Sequence, residues 1–599
     1  MSSKLTELQK KQMQQAEELL FEGPTTHSFA KDLFMGRFRT ESIMPYPEQS
    51  KEARRVGDEA VARVREFCKT RIDANAIDRA EAIPDDVVRG LGDIGVLGMT
   101  IAPENGGLGL SQQTYCRVME VIGATCASTA VFVNAHHSIG LRALELFGTE
   151  EQKSKWMKGG AMGEQIAAFA LTEPEAGSDA ANVRTTATPS PDGKGYLLNG
   201  QKRWITNGGI AQMLTVMART PDEKDPDGKI TAFLVTPDMP GFEVLEQRME
   251  KTGIRGTATG RLAFHDVYVP NENILGPLGK GLRVALTVLD FGRTTFGASC
   301  TGVAKFCVER MVHRANTRRQ FGKSLGEFEL VKSKIAEAAA DTFAMESATY
   351  HTAALIDSGA EDFMVETAML KVFASDNLWR IVNDALQIWG GAGFFTDQPF
   401  ERMMRDARLN LIGEGANDVL RCFVAMVGFR GLGEELQSVM KKPWTASKLL
   451  RFSASVPVKQ ERLRGPAVRI GKQIGAFVNA CQSALIKHRE AVMDQQFIQA
   501  RLGDIATELY MASCVYSRLT SIVGNRELDE DTKHRMIKTG LLYIDIAERR
   551  NKARLALLKN NDDENLNAVA DLWLRHEFAD AERTYEADAP ASKSPSVSS

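Results

Sequence analysis

Between about Ala167 and Pro277 the sequence changes period: short apolar runs alternate with turn residues, while the chain on either side reads as helix. Runs at 196–198, 213–217, 230–235 and 267–269 have strand character and are split by Pro, Asp and Gly. A β unit enclosed by helical units makes the fold class α+β, with several domains. The preceding zone, 51–166, is Ala-rich and helical, with Pro84 at a helix start. The following zone, 279–430, has the long proline-free stretches of a helix bundle. A basic connector at 431–466 leads to a further helical domain at 467–585. Residues 1–50 read as an N-terminal extension, and 586–599 as a small-polar tail expected to be disordered. No internal repeat is present.

The 599 residues suffice for three or four domains of about 100–200 residues each. Lys plus Arg total 74 against 77 acids, a net charge of −3 that gives no general attraction to nucleic acid. The eight cysteines are scattered without Cys-x-x-Cys spacing and read as reduced, packed residues of a reducing compartment. His136 and His137 are adjacent, so their rings point apart, and no metal site is expected. The first twenty residues are polar, helix-forming and partly acidic, so neither a secretory signal nor a transit peptide is expected there. No apolar run reaches the roughly 18 residues that a spanning helix needs. The expected location is cytoplasmic.

Gly90, Gly92 and Gly95 match the G-x-G-x-x-G dinucleotide pattern, but they follow a helix, not a strand. They read as a helix-terminating turn. At the start of the β zone, FALTEPEAGSD (169–179) is a strand end followed by a loop of small and hydroxyl residues. Thirty residues on, GQKRWITNG (200–208) sets a Trp and a Thr beside a glycine turn. Taken separately, each is an ordinary loop or a packed aromatic.

Together they resemble the flavin-binding strands of the acyl-CoA dehydrogenase family. Further matches follow in that family's order: LDFGR (289–293), NTRRQFGKSL (316–325), LQIWGGAGF (386–394) and RDARLNLIGEGANDVLR (405–421). The similarity runs from about Ser28 to Gly428. The segment 485–510 resembles the extra helical domain of the very-long-chain branch. The resemblance implies an N-terminal α domain, a middle β domain and a C-terminal α bundle, with FAD as cofactor.

It also implies roles residue by residue. Phe169, Leu171, Thr172, Trp204, Ile205 and Thr206 would flank the flavin ring, with Thr172 at its pyrimidine end, Thr206 at N5 and Trp204 as a shield. Ser178 would meet the phosphate region and the bound thioester. Arg318, Phe321, Gln387, Gly390 and Gly391 would contact the pyrophosphate and adenosine, usually from a neighbouring subunit, which implies a homodimer. Asn417 and Asp418 would also contact FAD. Asp290 and Arg293 would hold the CoA part of the substrate, with Gly415 beside it. Glu414 would be the catalytic base.

An acyl-CoA loses a proton from Cα and a hydride from Cβ. The base must therefore be a carboxylate in a dry pocket, its pKa raised toward working pH. Glu414 between two glycines suits that task, although on its own it would read as a solvated loop residue. The family commonly has an aromatic residue before this glutamate and a Thr two places after it; here these are Gly413 and Ala416. The loss of the ring widens the site, and the loss of the hydroxyl removes one FAD contact.

The expected activity is oxidation of long-chain acyl-CoA to trans-2-enoyl-CoA, with electrons passed to an electron-transfer flavoprotein. An acyl-CoA oxidase and a respiratory-complex assembly protein are the rival readings. Between 441 and 464 seven basic residues, among them Lys441, Lys442, Lys448 and Arg451, interleave with apolar ones. They suit either a linker or a peripheral membrane contact.

Overall fold

The computed structural model describes residues 28–221, 225–441 and 453–576, in which helices, a sheet and helices again follow one another. The N-terminal unit is built on α1 (Phe29–Phe34), α2 (Lys51–Arg71), α3 (Asp85–Asp93) and α4 (Gln112–Thr125). Ser50 and Ser111 start α2 and α4 by accepting the backbone N–H groups of Ala53 and Thr114, which satisfies donors that the first turn leaves open. Val61, Val64 and Phe67 form the buried stripe of α2.

The three glycines of the dinucleotide-like pattern serve packing. Gly90 and Gly92 lie inside α3, where a Cβ would come within 2.5 Å of the Phe67 ring and 2.3 Å of the Met162 carbonyl. Gly95 ends the segment at φ 79°.

Helix α5 (Ala127–Val133) continues into a π-helical segment, Asn134–Leu141, and then α6 (Arg142–Phe147). All eight residues of the π segment are buried. A π turn re-aims side chains relative to an α-helix and often sits at a functional site. His136 Nδ1 accepts the Ala167 N–H, so its Nε2–H donates to the Gly160 carbonyl. His137 Nε2 accepts the Thr100 N–H. Burial holds both rings neutral, His136 down at about 4.

The middle domain is a mixed sheet of eight strands: β1 (Ala167–Ala170), β2 (Thr186–Pro189), β3 (Gly195–Ile205), β4 (Met213–Thr220), β5 (Lys229–Val235), β6 (Phe242–Glu246), β7 (Gly260–Pro270) and β8 (Ile274–Leu275). The order is β6-β7-β3-β2-β4-β5-β8, and β1 pairs in parallel with β4. The β3–β7 register slips between Lys202 and Ile205, at Arg203 and Trp204.

The bundle consists of α7 (Gly281–Thr317), α8 (Glu329–Asp357), α9 (Met364–Trp389), α10 (Phe400–Leu409) and α11 (Asn417–Lys441). After it come α12 (Arg464–His488), α13 (Gln496–Gly524), α14 (Glu530–Leu557) and α15 (Asp563–Leu574). One continuous apolar core joins α12, α13 and α14 to the bundle and to α1. Phe34 of α1 meets Phe477 of α12 at 4.8 Å and Phe429 of α11 at 6.1 Å. Fully buried Asp341 of α8 accepts from Arg550 of α14.

Two sequence expectations change here. From Phe29 onward the supposed extension is part of the core, because its aromatics fill the seam between bundle and final helices. Helix α11 reaches Lys441, so the first residues of the expected connector are helical. Residues 442–452, which carry Lys442, Lys448 and Arg451 of its basic run, lie outside the described residues, as do 1–27 and the tail. No helix among the described residues is long and apolar enough to cross a membrane, and none of their His, Cys, Asp and Glu side chains cluster as a metal site.

Candidate active site

Glu414 sits in the turn between α10 and α11 at φ 57°, followed by Gly415 at φ 95°. A non-glycine residue in that left-handed region costs about 1–3 kcal/mol and persists only where its surroundings enforce it. Two buried cations do so here. Arg293 Nε donates to the Glu414 carbonyl at 3.2 Å, and Lys371 Nζ to the Gly415 carbonyl at 2.7 Å. Arg293 is in turn paired with Asp290 at 2.9 Å, and Asp290 accepts from Thr367.

The carboxylate is asymmetric. Its Oε1 accepts from Asn134 Nδ2 at 2.6 Å, while Oε2 is buried with no partner among the described residues. Gly292 lies beside Oε2: a Cβ there would stand 2.8 Å from it and 3.1 Å from Ile139. The bare backbone therefore leaves a slot next to the free oxygen. Burial pushes the Glu414 carboxyl up to about 7, against the opposing pull of Arg293, Lys371 and the Asn134 hydrogen bond. The Glu414 backbone N–H also has no intramolecular acceptor among the described residues. A base poised near neutrality and a free donor thus share one turn.

The two β-zone motifs meet at one end of the sheet. The Arg203 N–H donates to the Thr172 carbonyl, joining the loop after β1 to the end of β3. At the register slip Trp204 takes φ 59° and turns its indole outward, leaving the residue 54 % exposed. Ile205 turns inward and is buried, while Phe169, Leu171, Thr172 and Thr206 are half-buried and Ser178 is exposed. The hydroxyls of Thr172, Thr206 and Ser178 have no intramolecular partner among the described residues. An open aromatic face rimmed by unused hydroxyls fits a flat, polar-edged ring such as a flavin. Beneath it, Lys202 donates to Glu173 at 2.6 Å and to the Leu171 carbonyl at 3.0 Å, tying the motifs together.

Arg318, Phe321, Gln387, Gly390 and Gly391 are all exposed on the bundle surface. A two-residue turn, Phe321 (φ 50°) and Gly322 (φ 76°), closes the small hairpin between Arg319–Gln320 and Lys323–Ser324. It holds the Phe321 ring out in solvent, 92 % exposed, and Phe394 and Phe395 are exposed as well.

Four family profiles match in chain order: the acyl-CoA dehydrogenase N-terminal domain at 57–164, middle domain at 168–267 and C-terminal domain at 279–429, then the ACAD9/ACADV C-terminal domain at 461–577. The chain is 36% identical over 514 residues to the mitochondrial very long-chain specific acyl-CoA dehydrogenase of Homo sapiens, a match covering 82% of this chain and 78% of that protein. The chain belongs to the acyl-CoA dehydrogenase family. Its last domain places it with the very-long-chain branch. Among solved structures it resembles an acyl-CoA dehydrogenase complexed with FAD from Bacillus anthracis, with TM-score 0.77, 26% identity and coverage of 94% of this chain and 95% of that one. It also resembles butyryl-CoA dehydrogenase from Megasphaera elsdenii, with TM-score 0.60, 32% identity and coverage of 64% and 99%.

In this acyl-CoA dehydrogenase, three residues that the resemblance assigned to ligands make internal contacts. Asp290 and Arg293 are buried against each other under the base and brace its loop. Asn417 is buried too: its amide donates to Ser375 and Asp376 and accepts from Lys371. Asp418 is exposed and Gly415 half-buried. Sequence reasoning missed Asn134 and Lys371 as neighbours of the base. The one available signal was a polar residue opening the NAHHSIG segment.

Proposed function

We propose that this chain oxidises long-chain acyl-CoA thioesters to trans-2-enoyl-CoA, with Glu414 Oε2 taking the α-proton. The observation that carries the reading is the unpartnered, buried Oε2 beside Gly292, on a carboxyl whose burial raises it to about 7. FAD, when bound against Trp204, Thr172 and Thr206, supplies the acceptor for the β-hydride. The Glu414 N–H is free to polarise the thioester carbonyl, which acidifies the α-carbon. The proton then passes to Oε2 while Asn134 keeps Oε1 fixed. Arg293 and Lys371 hold the turn in place.

The likeness to very long-chain specific acyl-CoA dehydrogenases supports a preference for long chains. A Cβ at Gly413 would meet Leu409 only at 3.7 Å, so the position has room that a larger side chain would fill. Each added methylene buried is worth up to ~0.8 kcal/mol, so flavin bleaching should be most efficient from about C12 upward. A maximum with butyryl-CoA in an anaerobic chain-length series would overturn this.

A homodimer belongs to the same reading, supported by the exposed Phe321, Phe394 and Phe395 on the surface that bears the expected adenosine contacts. Sedimentation should show a FAD-carrying dimer; a FAD-loaded monomer contradicts it. The electron acceptor is an electron-transfer flavoprotein in this reading, and rapid peroxide release in air would point to an oxidase instead. The basic run at 441–464 supports peripheral membrane contact, each cation contributing about 1 kcal/mol near anionic lipid. Anionic vesicles should pellet the protein at low salt and release it at high salt. If replacing Lys441, Lys442, Lys448 and Arg451 by Gln leaves pelleting unchanged, the run is a linker.

A further inference from the structure

Behind Asn134 lies a line of buried side chains that the reaction scheme does not use. Asn134 Oδ1 accepts the hydroxyl of Thr295, Thr295 Oγ1 lies 3.0 Å from Ser138 Oγ, and Ser138 Oγ lies 3.0 Å from the Tyr115 hydroxyl. Three elements converge to make it: Tyr115 from α4, Asn134 and Ser138 from the π segment, and Thr295 from α7, one helical turn beyond Gly292. Thr295, Ser138 and Tyr115 are buried from water, so each hydroxyl proton must be used inside the protein.

The chemistry fixes the direction of every link. An ionised carboxylate only accepts, so Asn134 must present its NH₂ to Glu414 Oε1 and its carbonyl to Thr295. The Thr295 hydroxyl also lies 3.1 and 3.3 Å from the Gly292 and Phe291 carbonyls, but Asn134 Oδ1 is nearer, so Thr295 gives its one proton to Asn134 and its oxygen then accepts from Ser138. Ser138 has likewise spent its proton and must accept from Tyr115. We propose that Tyr115, Ser138, Thr295 and Asn134 form a one-way chain of hydrogen-bond donors that orients the Glu414 carboxylate and stabilises its ionised form, making Asn134 a positioning residue for proton abstraction. The proposal rests on Glu414 being the base. Aligned donors polarise one another, so a hydroxyl three links away from Asn134's carbonyl strengthens the final bond. With Oε1 held, Oε2 remains the single oxygen directed to the slot beside Gly292.

Other charged or titratable groups face the same region. Arg293 and Asp290 come from α7 and Lys371 from α9, with Asp376 and Cys300 acting on Lys371. His136 and His137 are held neutral by burial, and Arg142 and Cys116 act on Tyr115. All of these are the same in the variants below, so a change in titration reports the donor chain.

The test is a pH titration of the protonated-carboxyl infrared band in FAD-loaded enzyme without substrate, the band being assigned by its loss in Glu414→Gln. Asn134→Ala should move the midpoint upward by roughly one pH unit or more, the size expected for loss of one charge-assisted hydrogen bond. Tyr115→Phe, which removes only the last donor, should move it the same way by less, and so should Thr295→Val. Thr295→Ser, which keeps the donor, should titrate like the wild type. The acid limb of kcat/KM should follow these shifts, with activity recovering at higher pH. An unmoved midpoint in Asn134→Ala would overturn the proposal, and so would a shift confined to Asn134→Ala with Tyr115→Phe unmoved. If Glu414 were not the base, the band would still shift across the series while kcat/KM failed to track it, which separates the two readings.

Discussion

Glu414→Gln is expected to bind FAD, remain yellow, and bleach with long-chain acyl-CoA at least ~10²–10⁴-fold more slowly than the wild type. Glutamine fills the same volume and its carbonyl can still accept from Asn134, so the turn held by Arg293 and Lys371 should survive. What disappears is a proton acceptor at Oε2. The pH dependence adds a second mark of the base. Burial raises the carboxyl to about 7, so wild-type bleaching should rise with pH through about 7 and level off above it. Below that value the carboxyl holds its own proton and cannot take the substrate's. The limb should be missing in the variant; bleaching at near wild-type rate would remove Glu414 from the mechanism.

Lys202→Met should have the largest effect on the fold around the flavin strands. Lys202 is 0 % exposed and its partner Glu173 4 %. Glu173 also accepts from the backbone of Arg184 and Thr185 and from the Thr185 hydroxyl. Burial would raise the Glu173 carboxyl, but Lys202 and these hydrogen bonds bring it below its usual range, so it stays charged. Burial lowers Lys202 itself to about 8. Removing the cation leaves a buried carboxylate without its countercharge, a change that typically costs about 3–5 kcal/mol. Urea unfolding of the FAD-free protein measures it. FAD retention should fall as well, since Lys202 also holds the Leu171 carbonyl next to Thr172. Replacing both partners, Lys202→Met with Glu173→Gln, should recover much of the loss. A single variant within about 1 kcal/mol of wild type would show that the pair does not hold the motifs together.

The parts of this architecture that local sequence carries were legible. The period change at the sheet, the proline-poor bundle and the helix ending at Gly95 each follow from residues near one another in the chain. Glu414, Trp204 and Thr172 were reachable because they sit in short motifs. The structure adds a local reason for two of them, the left-handed backbone at Glu414 and at Trp204. What periodicity could not give were contacts between distant elements. Asn134 meets Glu414 across 280 residues, and Ser28 meets Glu366 across 338. Asp290 and Arg293 were assigned to CoA through the family resemblance, which says nothing of how deeply they are buried. Here that face of α7 is turned into the bundle, under the turn that carries the base. The N-terminal aromatics were set aside as an extension for the same reason: nothing local says that Phe34 will meet Phe477.

If Glu414 and the flavin strands act on one substrate carbon pair, a single anaerobic experiment should show it. FAD-loaded protein is mixed with a stoichiometric long-chain acyl-CoA while flavin absorbance is followed, and the thioester is then weighed by mass spectrometry. The yellow colour should bleach, and the acyl-CoA should lose two hydrogens to become its trans-2-enoyl product. Flavin that stays oxidised beside an unchanged thioester, in protein shown to hold FAD and bind the acyl-CoA, would contradict that reading.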